Sequence, residues 1–303
     1  KGEGKIVEAF TSEIVTNYKD TQASAWIFET RYGTNGATHI NNVQPIIRQH
    51  EKTGETFAVV HNGEFSNENG LSGGDSSDTV IFTDQLAHSE EVTWDERILK
   101  MQKKKGGAWS VAVATPEGLY LMRDPQGIRP LSYGKKTDHL TGKTIWLAAS
   151  ETAALKAMGV EEYFEVLPDS VIKISKSGVQ KLQKPKQINI QKSSAACIFS
   201  NIYVGDGKSA IHIPRHTDTE IREARLIDDF RKQCGIILSR EAPLDTTEVD
   251  IVIGIPGTGI AGGRSYAQAL GIPYFQAITD RNPQDNPRTF MTPDITDIYR
   301  RVL

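Results

Sequence analysis

The first half of the chain alternates short apolar runs with turn-forming residues. Ala23–Thr30, Thr56–Val60, Ala108–Thr115, Leu119–Met122 and Thr144–Ala148 carry the β-branched and aromatic enrichment of strands. Asn35-Gly36, Asn62-Gly63, Glu117-Gly118 and Thr141-Gly142 punctuate them as turns. Two stretches switch to helical spacing. In Asp78–His88, Ser77 stands as N-cap, and Val80, Thr83 and Leu86-Ala87 form an inward face. In Thr93–Lys103, Thr93 is the cap, and Trp94, Ile98 and Met101 make the stripe. Runs of strands with helices set apart predict stacked sheets flanked by helices.

Gln180–Ser194 is polar, rich in Lys and Gln and unpatterned, as a connecting segment would be. The texture then changes. Thr217–Ser239 reads as one long helix, with Ile221, Ala224, Ile227, Phe230 and Ile237 as its apolar positions. Asp250–Pro256 is a continuous apolar run of buried-strand type. Gly257-Thr258-Gly259 leads into a small-residue helix over Ile260–Leu270, and Gly271–Phe275 begins another strand. Strand, Gly-rich turn, helix and strand make a βαβ unit, the start of a parallel α/β domain.

Composition narrows the function classes. A chain of 303 residues, 38% hydrophobic and 24% charged, has room for one large or two medium domains. With a net charge of -3 and a pI near 6.2, it has no electrostatic footprint for nucleic acid. Lys103-Lys104-Lys105 reads as a solvated helix end. No apolar stretch approaches the roughly 20 residues that span a bilayer, and the N-terminal residues do not read as a signal peptide. Cys197 and Cys234 are too few for a disulfide framework, which fits a reducing, cytoplasmic setting.

Four clusters can carry chemistry, and each has a plainer use. Arg31 follows a strand and precedes a turn, so its guanidinium can bind a carboxylate at a sheet rim or sit in solvent. Asn62-Gly63 ends an apolar strand, offering a side-chain amide and an unhindered N–H for an oxyanion hole, or an ordinary turn. Asp78, in Ser76-Ser77-Asp78-Thr79, can cap a helix or hold a substrate ammonium. Arg123 to Leu131 packs Pro, Gly and charge into a loop that internal Arg–Asp bonds would hold rigid, with Ser150-Glu151 further on.

The order of these clusters says more than any one of them. Arg31-Tyr32-Gly33-Thr34-Asn35-Gly36 comes first, then Gln44-Pro45, then His61-Asn62-Gly63 with Asn67 four residues on, then Ser77-Asp78-Thr79. The series ends with Arg123-Asp124-Pro125-Gln126-Gly127-Ile128-Arg129-Pro130-Leu131 and Ala149-Ser150-Glu151. This closely resembles the glutaminase domain of N-terminal-nucleophile amidotransferases over nearly all of residues 1–180. Gly127 to Leu131 is most similar to the glutamine phosphoribosylpyrophosphate amidotransferases. Cys197 to Tyr203 resembles the segment joining that family's two domains. Asp250 to Tyr274 resembles its phosphoribosyltransferase sheet, and Arg288-Thr289-Phe290-Met291-Thr292-Pro293 its Arg-Thr-Phe-x-x-Pro loop.

The resemblance implies an α+β, Ntn-hydrolase-like glutaminase domain over residues 1–180, stacked antiparallel sheets flanked by helices. An incomplete α/β type I phosphoribosyltransferase-like domain would follow over 181–303. It implies an amidophosphoribosyltransferase, making phosphoribosylamine from glutamine and phosphoribosylpyrophosphate in purine biosynthesis. Asn62 and Gly63 would form the oxyanion hole. Arg31 and Thr34 would hold the α-carboxylate of glutamine, and Asp78 its ammonium. Arg288 and Thr289 would lie in a loop near the sugar phosphate. Mg2+ would accompany phosphoribosylpyrophosphate on ligands outside this sequence, purine nucleotides would inhibit, and the assembly would be a homotetramer.

The family's N-terminal cysteine nucleophile and its paired-aspartate, Gly-Thr-Thr phosphate turn do not occur in residues 1–303, which begin at Lys1. Both are expected in a longer polypeptide, so that each domain is represented in part. Phe28-Glu29 stands where a Gly-His pair is usual, and Pro256-Gly257-Thr258-Gly259 replaces Pro-Asp-Ser-Gly. These departures keep a second reading in play, a divergent paralogue serving as a binding or regulatory subunit. Some family members hold an iron–sulfur cluster with a cysteine matching Cys197. Four thiolates are typical, so with two cysteines a free thiol is expected.

Overall fold

The computed structural model describes residues 25–30, 40–66, 76–104, 106–139, 141–183, 197–211 and 225–279. The chain divides into two compact units, Lys1–Cys197 with His212–Glu223, and Ile198–Ile211 with Ala224–Leu303.

The first unit is built on antiparallel strands. β1 (Ile46–Gln49) pairs with β2 (Thr56–Phe65), and β2 with β3 (Gly107–Thr115). The sheet continues through β4 (Gly118–Arg123) and β8 (Val171–Ser175) to β9 (Gly178–Gln183), in the order β1-β2-β3-β4-β8-β9. A second sheet has β5 (Ser132–Thr137) between β6 (Thr144–Ala149) and β7 (Glu162–Glu165). Among the described residues three α-helices accompany the sheets: α1 (Asp78–Ala87), α2 (Trp94–Lys104) and α3 (Thr152–Ala157).

The two-residue period of the strands sorts the layers. On β4, Tyr120 and Met122 face one way and join Phe57, Val59, Trp109 and Val111 in a core with Phe82 and Leu86 of α1 and Trp94, Ile98 and Met101 of α2. Leu121 between them faces the other way, packing with Ile172 and Ile174 against Leu131, Tyr133 and Val166. The pair α1 and α2, the large sheet and the small sheet therefore stack in that order, and α3 packs on β5 and β6 of the small sheet, the layering expected for the glutaminase half.

Both predicted caps are present. Ser77 Oγ accepts from the Val80 N–H. Thr93 and Glu96 form a reciprocal capping box, the Glu96 N–H donating to Thr93 Oγ1 and the Thr93 N–H to Glu96 Oε2.

Several strand expectations need correction. Asn62-Gly63 is not a turn, because β2 runs through it to Phe65 in unbroken register with β3. Residues 25–30 form no strand. The polar segment expected from Gln180 begins in a strand, since Gln180 to Gln183 still pair with β8. β1, β5, β7 and β8 escaped notice because each has at most six residues and carries polar or charged positions among its apolar ones.

In the second unit a short π-helical turn (Ser200–Val204) precedes α4 (Ile227–Glu241) and α5 (Gly259–Leu270). The long helix expected from Thr217 starts at Ile227 among the described residues; residues 212–224 lie outside them. The two helices cross backbone to backbone, for a Cβ on Gly235 would lie 2.1 Å from the Gly262 carbonyl oxygen. The predicted flanking strands meet only at one parallel bridge, Val252 with Tyr274. Asp250–Pro256 is not buried as expected: Ile251, Ile253 and Ile255 are exposed, with Ile255 at 65%. With a single bridge, one face of this segment has no covering layer among the described residues.

Candidate functional site

Strand β2 gathers the scattered polar motifs of the first unit. β1 accompanies it only from Thr56 to Val59, so beyond Val59 its outer edge is finished by side chains. Gln44 Nε2 donates to the His61 carbonyl at 3.1 Å, and Gln44 Oε1 accepts the His61 N–H at 2.6 Å. A side-chain amide thus replaces a strand partner. Four residues on, the Phe65 N–H donates to Asp78 Oδ2 at 3.1 Å. Asp78 Oδ1 accepts the Thr79 N–H at 2.8 Å. Asp78 sits in the first turn of α1, beside Ser77, which does the capping, and it is buried. Its carboxylate keeps lone pairs beyond these two bonds.

His61 is buried, its ring stacked on Phe65 with centroids 4.3 Å apart and its Nδ1 3.0 Å from Thr79 Oγ1. Between them, Gly63 has φ +128°, and a Cβ there would lie 2.1 Å from the Ala108 carbonyl oxygen. Only glycine fits, because the backbone turns out of the regular pleat against β3.

The neighbouring Asn62 side chain is held at both ends. Its Oδ1 accepts from Arg129 Nη2 at 2.6 Å, and its Nδ2 donates to Ser150 Oγ at 3.2 Å. Arg129 comes from the loop after β4, and Ser150 from the end of β6. That loop is rigid as expected, though not through Arg–Asp bonds. Asp124 Oδ1 accepts the N–H groups of Gln126 and Ile128, and Oδ2 that of Arg129, each at 3.0 Å. Arg123 Nη2 donates to the Gly127 carbonyl and Nε to that of Arg129, with Glu165 as its ion-pair partner. Both residues are fully buried, where a charge is tolerated only with this many partners.

Glu29 adds a titratable group nearby. Burial pushes its carboxyl up to about 7, and the Arg129 charge only partly opposes the rise.

Of the residues singled out in the sequence, Asn62, Gly63 and Asp78 come together along β2. Arg31, Thr34, Arg288 and Thr289 lie outside the described residues. Gln44, Arg129 and Ser150 had no role in the sequence reading, although all three stand in the motif series; nothing in their spacing shows that they converge. Cys197 and Cys234 are half-buried. Two thiolates do not make the four that an iron–sulfur cluster takes. Among the described residues no cluster of three or more His, Cys, Asp or Glu could hold a metal ion.

Residues 36–157 match the model of the glutamine amidotransferase domain. The particular likeness is to the amidophosphoribosyltransferases, and it extends along nearly the whole chain. The Synechococcus elongatus amidophosphoribosyltransferase is 29% identical over 97% of this chain and 56% of its own length. The human enzyme of the same name is 29% identical over 97% of this chain and 58% of its own. Among solved structures, the B. subtilis glutamine phosphoribosylpyrophosphate amidotransferase, complexed with ADP and GMP, superposes with a TM-score of 0.67 at 26% identity. That match covers 87% of this chain and 54% of the other. The chain therefore spans little more than half the length of the relatives it matches.

Proposed function

We propose that the protein is a glutamine-dependent amidotransferase forming 5-phosphoribosylamine from phosphoribosylpyrophosphate and glutamine, the step that commits to de novo purine biosynthesis. The observation that carries this reading is the Asn62–Gly63 pair, an amide fixed at both ends beside a backbone that only glycine can adopt. Asn62 Nδ2 and the Gly63 N–H are the donors for the oxyanion. With no Cβ at Gly63, a ligand can approach its N–H closely.

On this reading a thiol at the mature N-terminus attacks the glutamine carboxamide carbon. The negative charge that develops on oxygen is met by Asn62 and Gly63. The C–N bond then breaks, ammonia leaves with a proton from the α-amine, and water hydrolyses the thioester to glutamate. Arg31 and Thr34 hold the glutamine carboxylate and Asp78 its ammonium. Ammonia then displaces pyrophosphate from C1 of phosphoribosylpyrophosphate in the α/β half, where Arg288 and Thr289 lie in the sugar-phosphate loop. The bridge between Val252 and Tyr274, on either side of α5, agrees with a parallel sheet there.

Mg2+ would enter bound to the phosphates of phosphoribosylpyrophosphate, as the likeness to that enzyme family implies. The ADP and GMP of the B. subtilis relative support purine nucleotides as regulators. A homotetramer and a cytoplasmic location complete the proposal. Among the described residues no helix is long and apolar enough to cross a membrane.

The test is ammonia release from glutamine by the full-length protein, with and without phosphoribosylpyrophosphate. Release stimulated by phosphoribosylpyrophosphate is the expected result. Glutamine binding with no ammonia released would replace the enzyme by a binding subunit.

A further inference from the structure

We propose that Arg129 is a positioning residue of this site, fixing which end of the Asn62 amide is presented to the substrate. The inference rests on the reading of Asn62 as an oxyanion donor.

The oxygen and nitrogen ends of an asparagine amide have nearly the same shape, so only hydrogen-bond partners decide which way the group points. Ser150 cannot decide. Its hydroxyl accepts from Asn62 Nδ2 at 3.2 Å, but by rotating its proton it could equally donate to an oxygen in that place. A guanidinium has five donors and no acceptor. Arg129 Nη2, 2.6 Å from Asn62 Oδ1, therefore accepts only the oxygen end as its neighbour. With the amide reversed, N–H would face N–H at that distance. The NH2 end is thereby set at Ser150. One of its two protons satisfies the serine and the other remains for a developing negative charge.

The support behind Arg129 suits this task. Its N–H donates to Asp124 Oδ2 at 3.0 Å and its carbonyl accepts from Arg123 Nε at 2.8 Å, so its backbone is fixed from both sides by buried charged groups. Pro130 follows and restricts the backbone of Arg129 further. Arg129 Nε is buried without a partner, so the side chain gives up one hydrogen bond in the conformation that reaches Asn62.

The experiment uses the full-length protein and two variants. Arg129→Gln keeps much of the side chain's bulk but can meet either end of the Asn62 amide, so it fills the place without selecting. Arg129→Lys still only donates. Glutamine hydrolysis in R129Q should lose roughly tenfold to a hundredfold in kcat with KM nearly unchanged, since an oxyanion donor acts in the transition state. R129K should recover most of that loss. The Asn62 side-chain amide pair in a 15N-labelled protein provides a second readout. It should shift and broaden in R129Q and stay near its wild-type position in R129K.

Wild-type kcat and an unmoved Asn62 amide pair in R129Q would overturn the proposal. Should the wild-type protein release no ammonia from glutamine, the oxyanion reading fails on its own. The amide resonances then still decide whether Arg129 orients Asn62.

Discussion

Gln44 bonds both backbone groups of His61 with the two ends of one side-chain amide, Oε1 at 2.6 Å and Nε2 at 3.1 Å. The contact spans 17 residues of sequence and holds β2 where β1 has ended. Gln44→Leu would leave a buried N–H and a buried carbonyl without partners. Each unsatisfied group costs about 1–3 kcal/mol, so a loss of roughly 2–6 kcal/mol is expected. Urea unfolding should show the midpoint falling with the slope unchanged.

Gly63→Ala combines a backbone unfavourable to alanine with a Cβ 2.1 Å from a main-chain oxygen. That oxygen belongs to β3 and cannot give way without breaking the β2–β3 ladder. A destabilisation of about 3 kcal/mol or more is expected, with loss of glutamine hydrolysis. Thermal unfolding followed by circular dichroism checks the first part. A melting temperature equal to wild type would show that β2 is regular at this point.

Asp124→Ala would remove the acceptor for the N–H groups of Gln126, Ile128 and Arg129. The loop after β4 should open locally, and the amides of Ile128 and Arg129 should exchange at least tenfold faster, about 1.4 kcal/mol or more of lost protection. Asn62, deprived of a fixed Arg129, should then lose catalytic effect even if the fold survives.

Glu29 makes stability depend on pH in a defined direction. Its carboxyl is at 4.5 when unfolded and about 7 when folded, so the folded state binds the proton more tightly. Its contribution is fully present below pH 4.5 and is lost as pH rises to about 7. Burial drives the rise and Arg129 is the charge that opposes it. Glu29→Gln should therefore be more stable than wild type at pH 8, by up to roughly 3 kcal/mol, and equal to it near pH 4. A stability difference that is constant across this range would show that Glu29 titrates normally.

Much of this was legible in the sequence. The helix caps at Ser77 and Thr93 and the stripe of Trp94, Ile98 and Met101 were readable because they are local and periodic. The ordered motifs pointed to Asn62, Gly63 and Asp78, and the structure places all three along β2. The backbone of Asn62-Gly63 was misread. The dipeptide favours a turn, and only pairing with β3 overrides that preference. Gln44, Arg129 and Ser150 were invisible as partners, since bonds spanning 17, 67 and 88 residues leave no periodic trace. Asp250–Pro256 read as buried because a run of Ile and Val looks the same whether or not neighbouring strands cover it.

Whether the Asn62–Gly63 segment stabilises the oxyanion of glutamine cleavage is decided by the steady-state kinetics of Asn62→Ala in the full-length protein. Ammonia release should fall by about a hundredfold to a thousandfold in kcat, with KM for glutamine within about threefold of wild type. Ammonia release at the wild-type rate in this variant would show that Asn62 does not stabilise the oxyanion.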